Sequence, residues 1–388
     1  MPAAPAPLAG VRVLDLSRLL PGPYATLILA DLGAEVVKVE DTGAGDYLRH
    51  LPPLTSGGDG REGEDACGGM FAALNRGKKS IALDLKDPAG LALFKQLCSR
   101  ADVLVEGFRP GVMERLGIAP ASLCAEFPRL IVCSISGYGQ SGPWAGKAGH
   151  DIGYLALSGA LARCGQSADG PPQLPGVQLA DLMGGAQTAA LGILAALLER
   201  AQTGRGRALD ISMTEGAMGF LLPHLGALAA GEAPQTRGED VLSGSHPCYR
   251  VYACEGGGAM ALGALEPKFW ERFCAAVERP VWRERQFDRA LAPEVDALFR
   301  TRTRDAWSAL LENADCCAEP VLEPHELFSH PQHAGRGLFV ETAGLRLLRT
   351  QPALVATERL PRARAPRQGE HQAEVLRDFG ITPGGDCG

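Results

Sequence analysis

The chain has 388 residues, of which 46% are hydrophobic and 21% charged, and a formal net charge of -7. That is the composition of a globular enzyme with a large core, and its acidic balance excludes a nucleic-acid binder held by basic surface. Length suggests two domains, and 6% aromatics with abundant Ala, Gly and Leu favour α/β layering over an all-β sandwich.

The N-terminal MPAAPAPLAGVRVLDL has no basic stretch before its apolar residues, so no secretory signal is expected. Val11 to Leu16 reads as a buried strand and Pro21 to Pro23 as a turn. Tyr24 to Leu32 has helical apolar spacing and stops at Gly33; Glu35 to Glu40 is a second strand. This order predicts a right-handed βαβ unit in a parallel sheet. The segment 43–69 is Gly-, Asp- and Glu-rich and reads as a long surface loop. Ser80 to Leu85 is a strand, Pro88 to Cys98 a helix, and Asp102 to Glu106 and Leu130 to Ser136 further strands. A long helix is expected from Leu182 to Ala201. Its most apolar part, Gly184 to Leu198, is interrupted by Gln187 and Thr188, which suits a buried helix better than a membrane span. Ala208 to Ser212 is a strand and Thr214 to Ala230 a helix. Beyond residue 232 short strands (Tyr249 to Ala253, Ala259 to Leu262) precede helices at 267–278 and 304–314, a smaller α+β domain at 235–330. Gln351 to Gln368 is Pro- and Arg-rich and reads as an extended connection to a short helix near His371 to Phe379.

The eleven cysteines have no framework spacing and no CxxC, which argues for reduced thiols in the cytoplasm and against structural zinc. His246, Cys248 and Cys254 could ligate a metal, but a strand with buried thiols is the preferred reading. Gly137, Gly139 and Gly142 spell GxGxxG after a strand. Pro143 and Trp144 follow instead of a helix, so no nicotinamide site is expected. Neither GxSxG nor a P-loop is present.

Arg76, Lys78, Lys79 and Lys86 surround one strand, and Arg109 and Arg115 follow the next. Such a cluster suits a phosphate-bearing ligand beyond the C-terminal strand ends, or is a solvated charged face. His150, in Gly149-His150-Asp151, is either structural or a proton carrier. Asp181, before Leu182, is either an N-cap held ionised by the helix dipole or a nucleophile or base. Glu266, before Pro267, is either a surface acid or part of a site.

Several long segments point to a family. They are GVRVLDLSRLLPGPYATLILADLGAEVVKVE (10–40), LNRGKKSIALDLKDPAG (74–90), ADVLVEGFRPGVMERLG (101–117), PRLIVCSISGYGQSGP (128–143), AGHDIGYLALSG (148–159), ALDISMTEGAM (208–218), GALEP (263–267) and GEH (369–371). With them the chain resembles the family III CoA transferases (CaiB/BaiF), which include α-methylacyl-CoA racemases. The resemblance implies a large Rossmann-like α/β domain built from both chain ends (1–225, with 335–388 returning to it) and a small α+β domain. It also implies an interlocked homodimer, and coenzyme A on the large domain as part of an acyl-CoA thioester substrate. No metal, redox nucleotide, nucleic acid or membrane is implied. By position Leu83, Asp84, Leu85, Lys86, Arg109 and Arg115 match the nucleotide-binding residues, and Gly149, Asp151 and Tyr154 belong to the matching GHD segment beside the ligand. Asp181 matches the catalytic aspartate, His150 the histidine of the racemases and Glu266 their glutamate.

The resemblance implies one of two chemistries: α-proton removal and return by His150 and Asp181, with Glu266 supporting, or acyl transfer through an Asp181 mixed anhydride. The racemase reading comes first. Asp41 in place of an arginine, the long loop 43–69 and Gly153 in place of an asparagine depart from the racemase pattern. A non-catalytic CoA-binding scaffold is the third possibility.

Overall fold

A computed structural model describes residues 5–55, 66–350 and 363–381. Parts of the loop 43–69 and of the connection 351–368 lie outside the described residues. The chain forms two compact units, one of residues 1–160, 176–222 and 333–388, the other of residues 161–175 and 223–332.

The first unit is an α/β layer structure. β1 (Arg12–Asp15), α1 (Pro21–Asp31) and β2 (Glu35–Glu40) form the expected βαβ unit, and α1 begins with proline at its first position, where the missing N–H costs nothing. α2 (Gly69–Asn75), β3 (Lys79–Ala82), α3 (Pro88–Cys98), β4 (Val103–Glu106), α4 (Val112–Arg115), α5 (Pro120–Glu126) and β5 (Ile131–Ser136) continue the alternation. α6 (Asp151–Ser158), α7 (Thr188–Thr203), β6 (Ala208–Ser212) and α8 (Met213–Met218) complete it. The six strands are parallel, in the order β3-β2-β1-β4-β5-β6. Their near-continuous apolar runs reflect burial on both faces, as in Val103–Glu106 and Ile131–Ser136, buried throughout. The order reverses between β1 and β4, so the crevice for a ligand lies beyond the C-terminal ends of those strands.

One core joins Leu14, Val37, Ile81, Phe94, Leu104 and Val132 to Val375 of the helix Gln372–Asp378 and to Phe379, which caps it. That end of the chain is stitched to β3: the His371 N–H donates to the Ser80 carbonyl at 2.9 Å and the Ala82 N–H to Gln372 Oε1 at 3.1 Å. Both chain ends therefore build this unit.

A polar network is sealed beside β1. The Lys78 ammonium donates to Asp15, Thr26 and Asn75 at 2.8–3.1 Å, and Lys38 pairs with Asp46 at 2.9 Å; all four charged side chains are buried. Burial alone would raise Asp15, but the ammonium groups of Lys78 and Lys38 outweigh it and hold the carboxyl well below its usual range. Burial lowers Lys78 to about 8, against the pull of Asp15.

The helix expected at Thr214 to Ala230 is broken. α8 stops at Met218, a tight turn spans Gly219–Leu221, and a further helix runs Leu222–Ala229. Pro223 has no N–H to continue the ladder, and Gly216, Gly219 and Gly226 weaken the run. The helix before β6 is also not wholly buried: Leu191 and Leu198 are 69% and 70% exposed.

In the second unit β7 (Tyr249–Ala253), β8 (Ala259–Gly263) and β9 (Ala318–Pro320) form an antiparallel sheet in the order β7-β8-β9. Helices Pro267–Ala276, Ala292–Phe299 and Arg304–Leu311 accompany it. Its core is aromatic: Phe299 stacks on Tyr252 and Phe273 and meets Trp307. Cys248 and Cys254 are buried here, while His246 Nδ1 is 2.6 Å from Ser245 Oγ.

Candidate active site

The turn after β3 carries Leu83 to Lys86. Leu83 is buried and Leu85 packs against the core, so the turn offers a ligand its backbone and the exposed Lys86 side chain. Asp84 Oδ1 accepts the Lys86 N–H at 2.9 Å, which fixes the turn. Arg109 and Arg115 are exposed after β4, beside the switch point. None of Lys86, Arg109 and Arg115 has an ion-pair partner among the described residues. The other members of the basic cluster are consumed internally. Arg76 grips Asp31 with two bonds, Lys78 lies in the buried network, and Lys79 pairs with Glu35, Glu374 and Asp378. The sequence cluster therefore splits, and only Lys86, Arg109 and Arg115 remain for an anionic ligand.

Asp181 is not an N-cap. It lies inside the first turn of a π-helical segment, Ala180–Gln187, that runs directly into α7. The wide turn is a local departure from α geometry of the kind found at functional sites. Packing holds it there: a Cβ on Gly184 would come 2.7 Å from the Met213 carbonyl oxygen, and one on Gly216 2.0 Å from that of Gly184. Only two glycines let the π segment and α8 meet backbone to backbone.

α6 brings the partners. Asp151 Oδ1 accepts the Asp181 N–H at 2.9 Å, and His150, at the N-cap of α6, is the neighbouring residue and exposed. The Asp181 carboxyl makes no hydrogen bond among the described residues. Burial, then the charge of Asp151, raise its pKa to about 6, while His150 opposes the rise. Desolvation and the like charge of Asp151 thus hold its proton more tightly than an ordinary aspartate does. Asp151 spends one oxygen positioning Asp181.

Tyr154 packs beneath. Cβ atoms on Gly137 and Gly149 would fall 2.3 and 2.6 Å from its ring, so both positions exclude any side chain. Burial and then Asp181 raise the Tyr154 hydroxyl to about 12, and Arg109 pulls it down. Tyr154 therefore lies within electrostatic reach of both Asp181 and Arg109. Tyr138 meets Tyr154 edge-on with centroids 5.2 Å apart. Sequence reasoning missed Tyr138; its only signal was its place in GYGQSG, whose first glycine, Gly137, serves the packing of Tyr154, while Gly139 and Gly142 take positive φ in the turn that follows. Asp41, at the end of β2, pairs with Arg18 at 2.6 Å.

Glu266 belongs to the second unit. It caps Pro267–Ala276 without a side-chain cap bond, is exposed, and its carbonyl accepts the Phe269 N–H at 3.0 Å. No group of three or more His, Cys, Asp or Glu side chains suited to a metal occurs among the described residues.

A doubly wound α/β fold with free cationic side chains at its switch point, and an elevated carboxyl beside a histidine at the same sheet edge, defines an acid–base or nucleophilic enzyme for an anionic substrate. The chain belongs to CoA-transferase family III, whose model matches residues 8–372. It is 37% identical over 384 residues to the human alpha-methylacyl-CoA racemase, covering 97% of this chain and 94% of that one. It is 33% identical to the succinate–glutarate CoA-transferase of Agrobacterium fabrum, covering 98% and 97%. Its fold matches a CAIB/BAIF family protein from Brucella suis with a TM-score of 0.84 at 29% identity, covering 97% and 100%.

Proposed function

We propose that this enzyme interconverts the two configurations at the α-carbon of a 2-methylacyl-CoA. One observation carries the reading: the start of α6 is bonded to Asp181 through Asp151 at 2.9 Å, which brings His150 within electrostatic reach of a carboxyl whose pKa burial pushes up to about 6. That brings the carboxyl into the range where an imidazole titrates, and proton exchange at neutral pH is most efficient between such groups. The thioester makes the α-proton acidic. The Asp181 carboxylate takes that proton, the enolate forms, and the His150 imidazolium returns a proton to the opposite face. Asp181 is then protonated and His150 neutral, which is the state that runs the reverse turnover or exchanges with water. Lys86, Arg109 and Arg115 hold the phosphates as charge-assisted donors, the turn Leu83, Asp84 and Leu85 supplies backbone, and Gly149, Asp151 and Tyr154 flank the thioester. A supporting role for Glu266 rests on the resemblance alone.

The alternative is acyl transfer. The Asp181 carboxylate attacks the thioester carbonyl and expels coenzyme A as its thiolate. The thiolate then attacks the Asp181 carbonyl of the mixed anhydride, which frees the donor acid and leaves an aspartyl-CoA thioester. The acceptor carboxylate attacks that thioester to form a second mixed anhydride, and the thiolate takes its acyl group, giving the acceptor's CoA ester and restoring the Asp181 carboxylate. The unbonded Asp181 carboxyl favours it, as do CoA-transferase relatives at 33% identity across 97–98% of the chain.

We also propose a homodimer in a reducing cytoplasm. The exposed Leu191 and Leu198 suit contact with a second copy, although Ala180–Thr203 has the length and apolarity to cross a membrane. Ten free cysteines among the described residues suit the compartment.

Heavy-water exchange decides the chemistry. A racemase incorporates deuterium at the α-carbon with no acceptor present, and His150→Ala abolishes at least one direction of exchange. Movement of coenzyme A onto an added acid without deuterium uptake would overturn the racemase reading.

A further inference from the structure

Glu106 takes no part in the chemistry above, yet it is an acid sealed at the sheet's ligand-facing edge. It ends β4, beside the switch point, and is 2% exposed. Carboxyls are rarely buried without a cation, and Glu106 has no ion pair among the described residues. Its bonds go elsewhere. Oε2 accepts the Phe108 N–H at 2.7 Å, and the carboxyl also bonds Ser134, its register partner on β5. Burial raises Glu106 to about 7, with Glu114 and Asp210 adding to the rise and the Ser134 and Phe108 bonds opposing it. A buried leucine would serve the core at lower cost, so the carboxyl is retained for what it bonds.

What it bonds is the peptide N–H immediately before Arg109. On the far side of that residue, the Arg109 carbonyl accepts the Val112 N–H at 3.1 Å, where Gly111 turns the chain at φ +86° into α4. Arg109 thus projects, exposed, from a short loop pinned at both ends, and the Glu106 carboxyl is the pin on the sheet side. We propose that Glu106 is a positioning residue of the coenzyme A site, fixing the loop Gly107–Gly111 so that the Arg109 guanidinium is preset for phosphate. The proposal rests on the coenzyme A reading of Arg109. What Glu106 supplies is an acceptor in a fixed place, so its function survives loss of charge but not loss of the oxygen.

The test is calorimetric binding of free coenzyme A, with turnover at saturating acyl-CoA measured alongside by whichever of exchange and transfer the wild type performs. Glu106→Leu keeps the volume and removes the acceptor. It should weaken coenzyme A by about tenfold to a hundredfold, the cost of misplacing a binding group by an ångström or less, while saturated turnover stays within about twofold. Glu106→Gln keeps an oxygen for Phe108 and a donor for Ser134, and should bind within about threefold of wild type. Wild-type affinity in the Leu variant, or Gln as weak as Leu, overturns the proposal. Should the Leu variant not fold, Ser134→Ala decides: it frees the carboxyl on one side and should weaken binding several-fold, and unchanged affinity overturns the idea. Arg109→Ala is the control. If it binds coenzyme A as wild type does, the coenzyme A reading of Arg109 fails, a different result from the failure of Glu106 to position it.

Discussion

Asp181→Asn separates the demands of stability from those of chemistry. In the folded chain the carboxyl titrates at about 6 instead of its ordinary 3.8. A carboxyl raised on folding favours the native state while protonated, at pH below about 4, and loses that contribution as pH rises through 6. At neutral pH the native state therefore carries an ionised group it would prefer neutral. The rise of about two units corresponds to at most about 3 kcal/mol at 1.36 kcal/mol per unit. Asp181 is partly exposed, and solvent screening reduces the figure to about 1–2 kcal/mol. Asparagine is neutral at every pH and nearly the same shape. The variant should therefore melt a few degrees above wild type at pH 7.5, and the gap should shrink to about a third at pH 4.5. Scanning calorimetry at the two pH values reads this directly. Both exchange and transfer should be lost, since each needs the carboxylate. In the wild type, kcat/KM should fall about tenfold per pH unit below 6, as the carboxylate of the free enzyme is protonated. Equal melting of variant and wild type at pH 7.5 would refute the argument that the fold strains this carboxyl for chemistry.

Lys78→Ala leaves Asp15 ionised and unpaired in the interior, and urea denaturation should show a loss of about 3–5 kcal/mol. Gly216→Ala drives a methyl group onto the Gly184 backbone, where no flexible side chain can yield. It should cost about 1–3 kcal/mol by urea denaturation and lower turnover by displacing the π turn that carries Asp181. If the proposed dimer is interlocked, dilution to nanomolar concentration should yield no monomer by mass photometry, because separation requires partial unfolding. A rapid, reversible monomer–dimer equilibrium would count against that topology.

The sequence by itself determined the layer structure. Apolar runs bounded by Gly and Pro, alternating with helical spacing, place five of β1 to β6 within a residue, because strands of a parallel sheet are buried and carry their own signature; β3 ends at Ala82, three residues before the expected Leu85, where the chain turns. Asp181, His150 and the Arg109 loop were also legible, through long motifs rather than periodicity. Other features were decided only by tertiary structure. Which lysines were free to meet a ligand depended on partners far along the chain: Asp15 for Lys78, Asp378 for Lys79. The break in the helix after β6 was written locally, in Pro223 and three glycines, but the spacing of apolar residues masked it. The state of Asp181 had no local signal at all. A carboxyl at a helix start reads as a cap held ionised by the dipole. It becomes a group with a pKa of about 6 only because α6 brings Asp151 against it and the fold takes away its water. Desolvation and through-space charge are sums over neighbours distant in sequence, and no window along the chain contains them.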